Sequence, residues 1–68
     1  MSTKEILMLL QNTKKAKIYL KDGNVLIGES QGTDIDEEGD ECAVFKPTFS
    51  LLYCFIKAGD IIKAEAIE

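Results

Sequence analysis

The stretch that decides the fold is IYLKDGNVLIGESQGTD, residues 18–34. At its centre, Asp22-Gly23 favours a tight hairpin turn, because glycine adopts positive φ angles without strain. Before the turn, apolar Ile18 and Leu20 alternate with polar neighbours, and this period of two predicts a β-strand with one buried face. After the turn a second strand carries Gly28, and a glycine inside a strand is typical of a sharp bend or bulge. The stretch therefore predicts a bent β-hairpin.

A single helix is predicted in front of this hairpin. Ser2 and Glu5 have the spacing of a capping box, in which each side chain bonds the backbone of the other residue. The apolar stripe that follows at helical spacing consists of Ile6, Leu9 and Leu10. We expect a helix over about residues 3–12. Its apolar face must pack against the open end of a sheet or across a subunit contact.

The rest of the chain predicts further short strands. With the hairpin they cover about residues 15–21, 24–33, 41–46, 50–57 and 60–67. The third strand ends at Pro47, which has no N–H for a ladder. The fourth is apolar on both faces, which predicts burial on both sides, one of them by a neighbouring subunit. The fold class is mainly β: an N-terminal α-helix followed by a five-stranded, strongly bent antiparallel barrel of the SH3-like type.

Size and charge restrict the function. Sixty-eight residues form one small domain, residues 1–68, and the net charge of −4 argues against tight non-specific nucleic-acid binding. The charge is uneven, however, because residues 33–41 form an acidic loop around Gly39 while four lysines cluster in and before the first strand. These are Lys14, Lys15, Lys17 and Lys21. One face could therefore still meet a phosphate backbone, and a merely solvated face is the alternative.

Metal and thiol chemistry are not expected. The chain has no histidine, and the carboxylates of Asp34, Asp36 and Asp40 miss the spacing of an EF-hand loop, so we predict no metal site. Cys42 and Cys54 are expected to be two buried free thiols in a reducing cytoplasm. No apolar run is long enough to cross a bilayer, so we expect a soluble cytoplasmic protein without membrane contact.

The sequence predicts a non-enzymatic protein. It contains neither a nucleophile–base pair at a recognisable spacing nor a phosphate-binding glycine loop. Its paired carboxylates occur only in the acidic loop, which is a poor position for a general acid. We expect no cofactor.

Two stretches of the chain combine apolar residues and glycines at spacings that occur together in a known family. The first contains Ile18, Leu20, Gly23, Leu26, Gly28 and Asp34, and the second is IKAGDI, residues 56–61. Together with the helix and five strands, this pattern resembles the Sm-like (LSm/Hfq) family of small SH3-like barrels. The first set matches the spacing of apolar residues, glycines and aspartate in the first Sm motif. The second is similar to the Ile-Arg-Gly-x-x-Ile of the second motif, with Lys57-Ala58 in place of Arg-Gly.

The resemblance implies a ring and an RNA site. In Sm-like rings the fourth strand of one subunit pairs with the fifth strand of the next, so a homo-hexamer or homo-heptamer is expected. The implied subunit contacts are Leu51, Leu52, Tyr53, Phe55, Ile61 and Ile62. The implied contacts with single-stranded RNA are Asp34, Lys57 and Gly59. An acidic segment, residues 35–41, stands where the family carries its base-reading residues.

Three interpretations remain at this stage. The first is an Sm-like ring that binds short single-stranded RNA. The second is the same barrel used as a structural or assembly module for protein–protein interaction, without RNA. The third, a monomeric SH3-like domain that binds proline-rich peptides, is disfavoured because such grooves need clustered aromatic residues and this chain has no tryptophan.

Overall fold

The computed structural model describes residues 1–67. It contains one helix and five strands: α1 (Thr3–Gln11), β1 (Lys15–Leu20), β2 (Val25–Ile35), β3 (Glu41–Pro47), β4 (Cys54–Lys57) and β5 (Ile61–Ala66). A single 3₁₀ turn, Ala58–Asp60, joins β4 to β5. All neighbouring strands are antiparallel, and the strand order is β4-β3-β2-β1-β5. The predicted fold class, an N-terminal helix followed by five bent antiparallel strands, is confirmed.

Helix α1 begins with the predicted capping box. The Ser2 hydroxyl accepts a hydrogen bond from the Glu5 backbone N–H at 3.2 Å, and the Glu5 carboxylate accepts one from the Ser2 N–H at 2.9 Å. The helix packs on β2 and β5. Its buried side chains are Ile6, Leu7 and Leu10, whereas Leu9, predicted in the stripe, is only partly buried. The helix therefore covers the core as expected, with its buried face rotated towards Leu7.

The hydrophobic core lies between α1 and the inner face of the sheet. Phe45 on β3 is its largest fully buried side chain, and Ala16 and Ile18 on β1 are buried on the same side. These two β1 residues confirm the alternation predicted for the first strand. A buried hydrogen bond of 2.6 Å from the Ser30 hydroxyl to the Leu10 carbonyl ties β2 to the end of the helix.

Strand β2 is the strand shared by both halves of the sheet. Its first half pairs with β1 and its second half with β3, and Gly28 pairs in both directions. The β2–β3 register shifts by one residue between Ser30 and Thr33, where Gly32 has a φ angle of +97°. This bulge bends the strand, because the extra residue disturbs the ladder. The bulge predicted at Gly28 is thus found near Gly32. Gly28 itself allows the backbones of β2 and β3 to approach closely.

Strand β4 is shorter than predicted. The expected strand was residues 50–57, but the ladder with β3 begins only at Cys54. The Ser50 hydroxyl accepts a hydrogen bond from the Leu52 N–H at 3.1 Å, and such local bonds compete with strand formation. Continuation of the Phe45–Cys54 register would also place Ser50 and Leu51 beyond the end of β3 at Pro47. The prediction of a long fourth strand is therefore wrong for the single chain.

The sequence of the fifth strand predicts strict alternation, with one face formed by Ile61, Lys63 and Glu65 and the other by Ile62, Ala64 and Ala66, and this prediction is wrong. Ile61 and Ala64 are both buried, because the β1–β5 register shifts between Tyr19 and Leu20 and leaves Ile62 as the extra residue.

The prediction that both cysteines are buried free thiols is wrong for one of them. Both are free, but only Cys42 is buried, whereas Cys54 is exposed.

The sheet is open between β4 and β5. These are the two edge strands, and within residues 1–67 the sheet does not close into a complete barrel. Among the same residues, no helix has the length and apolar character needed to cross a membrane.

The close approach of β2 and β3 gives a first test, the substitution Gly28→Ala. The added Cβ would lie 2.7 Å from the Pro47 Cα and closer still to the Lys46 carbonyl oxygen. Since both contacts are backbone atoms, the strands must move apart. We expect the free energy of unfolding, measured by urea titration, to fall by about 1–3 kcal/mol.

Gly59→Ala is the matched control for this substitution. An added Cβ there meets no atom within 4 Å. We expect a change within about 0.5 kcal/mol, as is usual for surface substitutions. Equal effects of the two substitutions would show that the close approach at Gly28 does not limit stability.

Candidate functional site

The acidic loop, predicted as residues 33–41, is residues 36–40 in the structure, because β2 extends to Ile35 and β3 begins at Glu41. The carboxylate of Asp36 orders this loop. Its Oδ1 accepts hydrogen bonds from the backbone N–H groups of Asp40 and Glu38, both at 2.9 Å. Gly39 completes the turn with a φ angle of +88°, which favours glycine. The hydrogen bond from the Asp40 backbone is the main reason that the pKa of Asp36 lies below its ordinary value. Asp36 therefore stabilises the loop above the pKa of an unfolded aspartate, and this stabilisation is lost as the pH falls through the lowered pKa.

Lys57 is held by this acidic loop. Its Nζ atom lies 2.8 Å from Glu38 Oε1 and 3.3 Å from Asp40 Oδ2. The hydrogen bond to Glu38, followed by that to Asp40, raises the pKa of the lysine. The charge of Lys57 is thus compensated by two carboxylates at the end of β4. Because all three side chains remain partly exposed, water and salt screen the interaction.

The structure brings together only two of the three residues implied for RNA binding. Lys57 and Gly59 line one shallow pocket, together with Lys21 and Asp60. Asp34 lies two strands away, since it pairs with Cys42 on β3 and Cys42 pairs in turn with Lys57 on β4. Two strand spacings are about 10 Å. Asp34 also accepts a hydrogen bond from the N–H of Ile35 at 2.7 Å.

Three carboxylates of the acidic loop form a cluster that could hold a cation. Oxygen atoms of Asp36, Glu38 and Asp40 lie within 4.8 Å of one another. The Lys57 ammonium group already binds two of these residues. Asp36 uses one oxygen for two backbone hydrogen bonds and faces Cys42 with the other. The carboxylates of this cluster are therefore already used by interactions within the chain, with Lys57 as their cation.

The thiol of Cys42 lies beneath the acidic loop. Its side chain is 2 % exposed, and the Sγ atom is 3.6 Å from Asp36 Oδ2 and 3.7 Å from the Asp40 carbonyl oxygen. Burial, followed by the nearby charge of Asp36, raises the pKa of the thiol. Cys42 therefore favours the protonated form, which is the weaker nucleophile.

A second group of side chains lies on the outer face of β1 and β5. The ring of Tyr19 has the Lys63 Nζ atom 4.5 Å from its centroid and the Lys17 Nζ atom 5.1 Å away. The Tyr19 hydroxyl donates a 2.8 Å hydrogen bond to Glu65. Sequence reasoning placed Tyr19 on the outer face but did not identify this cluster. The alternation of lysine and tyrosine in β1 was the available signal, but the Lys63 contact depends on the pairing with β5.

The residues predicted at a subunit interface are mostly exposed. Leu51, Leu52, Tyr53, Phe55 and Ile62 all carry large exposed apolar surfaces. Ile61 is different: it is 4 % exposed in the core of its own chain, so its side chain is not free to contact a partner. Phe49 is fully exposed and was missed by the sequence analysis. Its position in a short connection after Pro47 was the only signal.

Comparisons of the chain with protein-family models, with curated proteins and with solved structures give no match. The case for a function therefore rests on the positions and charges of the chain's own residues.

The cover over Cys42 can be tested with the substitution Asp36→Ala. In a Cys54→Ser background Cys42 is the only cysteine of the chain. Removal of the Asp36 carboxylate deletes the hydrogen bonds that order the loop, so we expect a thiol reagent at neutral pH to modify Cys42 several-fold faster. Glu37→Gln changes one charge in the same loop and should leave the rate nearly unchanged. A rate that is insensitive to Asp36→Ala would show that the loop does not protect the thiol.

Proposed function

We propose that this chain is a self-assembling, non-enzymatic binding protein of the Sm-like type, whose copies join the β4 edge of one subunit to the β5 edge of the next. The observation that carries the proposal is the pair of open strand edges at opposite ends of the sheet order. Unpaired backbone groups on an edge strand favour pairing with another chain, and natural proteins usually block such edges. Here the edge strands carry charges at Lys57, Lys63 and Glu65, but each also exposes a large apolar side chain, because Phe55 and Ile62 are both more than half exposed.

The exposed apolar surface supports the same proposal. A chain of this size buries only about 60 % of the surface of its unfolded form and gains little stability from its own core. Subunit contacts are one of the usual supplements at this size. From residue 49 to residue 55, every residue except Ser50 has an apolar or aromatic side chain that is exposed in the single chain. Burial of this surface between copies would give assembly a hydrophobic driving force.

A contact between the two different edges is compatible with a closed ring. The contact is heterologous, because the β4 edge of one copy meets a different surface, the β5 edge, on the next. Repetition of such a contact about a rotation that closes produces a ring. A hexamer or heptamer is the size implied by the Sm-like resemblance. In this proposal the chain serves as an assembly platform, with the acidic loop as its charged surface.

Single-stranded RNA binding is the second candidate function. The observation that favours it is the Tyr19 cluster, since a partly exposed aromatic ring flanked by Lys17 and Lys63 combines base stacking with phosphate attraction. The implied site at Lys57 is less favourable, because Glu38 and Asp40 compensate its charge and repel phosphate. We therefore place an RNA contact, in this second proposal, on the outer face of β1 and β5.

The proposed assembly is tested by light scattering coupled to size-exclusion chromatography. We expect wild-type protein to have the mass of a hexamer or heptamer. Phe55→Lys and Ile62→Lys each place a charge on an edge strand, and each should shift the protein towards monomer. Both side chains are exposed, so circular dichroism should remain unchanged.

Met8→Lys is the matched control for assembly. Met8 is a similarly exposed apolar residue that lies on α1 and not on either edge strand. It should keep the wild-type mass. A monomeric wild type at concentrations up to hundreds of micromolar would contradict the proposed assembly.

RNA binding is tested by fluorescence anisotropy with labelled oligo-U and oligo-A at low salt. If the Tyr19 cluster binds RNA, Tyr19→Leu should weaken binding by about 1–3 kcal/mol, the usual loss for one stacked base. Met8→Leu, at an exposed position on α1 outside the cluster and outside the proposed subunit contacts, is the control. A larger loss with Lys57→Ala than with Tyr19→Leu would place the contact at the acidic loop instead.

A further inference from the structure

The connection between β3 and β4 carries an apolar tip, which we define as Phe49, Leu51 and Leu52. Phe49 is fully exposed, Leu51 is 93 % exposed and Leu52 is 75 % exposed. The base of the connection is fixed, because the Thr48 N–H and hydroxyl both bond the Ile27 carbonyl, at 2.8 and 2.9 Å. The tip is therefore a set of large apolar side chains presented from an anchored turn and mostly exposed in its own chain.

A cleft lies beside the base of the connection, because Thr48 lines it and bonds Ile27. It has a volume of about 370 Å³, and its apolar side chains are Ile27 on β2 and Ile67 immediately after β5. Both isoleucines are about half exposed. Charged and polar residues line the rest of the cleft: Lys15, Glu29, Lys46 and Thr48. Protein contact surfaces commonly combine apolar and polar residues in this way.

The direction of strand pairing between copies decides what the tip would meet. In an antiparallel pair, the residues just before β4 lie beside the residues just after β5, so the tip of one copy reaches Ile67 of the next. In a parallel pair the tip would instead lie beside the start of β5, where Ile62 is exposed, and beside the Ala58–Asp60 turn that precedes it. Every ladder within the sheet is antiparallel, and antiparallel ladders are slightly more stable than parallel ones, so the antiparallel arrangement is the one adopted for the contact between copies.

The size of the contact also requires more than strand edges. β4 has four residues and is therefore about 13 Å long at 3.3 Å per residue. A specific protein interface covers about 800 Å² on each partner. One short edge supplies a small part of that area. The exposed tip and the cleft are the large apolar surfaces that lie next to the two edges.

From these observations we infer that the tip of one copy inserts into the Ile27–Ile67 cleft of the next copy and completes the subunit contact. The occupant of the cleft is thus a second copy of this chain. This inference rests on the proposed assembly and adds the side-chain contact that stabilises it. The contact is heterologous, since a tip meets a cleft rather than another tip.

A complementation experiment tests the inference. Leu51→Asp damages the tip, and Ile67→Asp damages the cleft; both positions are exposed and outside the strands, so the fold is retained. Each variant alone should have a lower mass than wild type by light scattering at equal concentration. In a one-to-one mixture, the intact tip of the cleft variant meets the intact cleft of the tip variant. We expect the mixture to form a two-chain species, while Met8→Asp keeps the wild-type mass.

The outcomes separate this inference from the proposed assembly. If Phe55→Lys dissociates the protein but Leu51→Asp and Ile67→Asp do not, strand pairing stands and the tip–cleft contact is overturned. A second result would also overturn the inference: Leu51→Asp dissociates the protein, Ile67→Asp does not, and mixing the two variants changes nothing. That result would indicate that the tips of two copies pack on each other. A monomeric wild type overturns both proposals.

Cysteine cross-linking gives an independent measure of position. In a Cys54→Ser background, Leu51→Cys combined with Ile67→Cys should form disulfides between successive copies and give a ladder of several chains on a non-reducing gel. Leu51→Cys alone should give no ladder beyond two chains. Met8→Cys with Leu51→Cys is the control pair. Failure of the first pair to exceed the control would contradict the contact.

Discussion

The structure depends on one strand that takes part in two ladders. β2 runs for eleven residues, pairs with β1 at its start and with β3 at its end, and meets both at Gly28. The absence of a side chain at Gly28 is a steric requirement, because backbone atoms of β3 occupy the space that a Cβ would need. The core follows from this arrangement, since the two halves of the sheet meet the helix from both sides of β2. Ser30 adds a polar tie between the same strand and the end of the helix.

Elements with local signals were predictable from the sequence. The capping box fixed the start of the helix, the glycine turn fixed the first hairpin, and Gly39 marked the acidic loop. The predictions that were wrong concern features that depend on contacts between residues distant in sequence, or on an edge strand that has no neighbouring strand in the single chain. The length of β4 depends on its pairing with β3 and on an outer edge that is open in the single chain. The interrupted alternation in β5 depends on the bulge at Ile62 in the β1–β5 ladder.

The candidate sites follow the same division. Asp34, Lys57 and Gly59 were assigned by resemblance to a motif, and motif spacing contains no information about which charges stand opposite. Lys57 and Glu38 are nineteen residues apart in sequence and meet only because the acidic loop lies over the end of the β3–β4 ladder. The Tyr19 cluster likewise joins residues of β1 and β5 from opposite ends of the chain. Both sites are products of strand register, which a single sequence does not specify.

The bulge in β2 has a geometric consequence for the proposed ring. The strand bends where the register shifts at Gly32, and β4 and β5 are attached to opposite sides of that bend. The direction in which one edge faces relative to the other is therefore set inside each subunit. In a closed ring, this internal angle and the twist between the paired edges together set the rotation between neighbours, and that rotation determines how many copies complete the circle. A single extra residue in one strand would thus contribute to the number of subunits, and variants that straighten the bulge would change the ring size or open the ring into a filament.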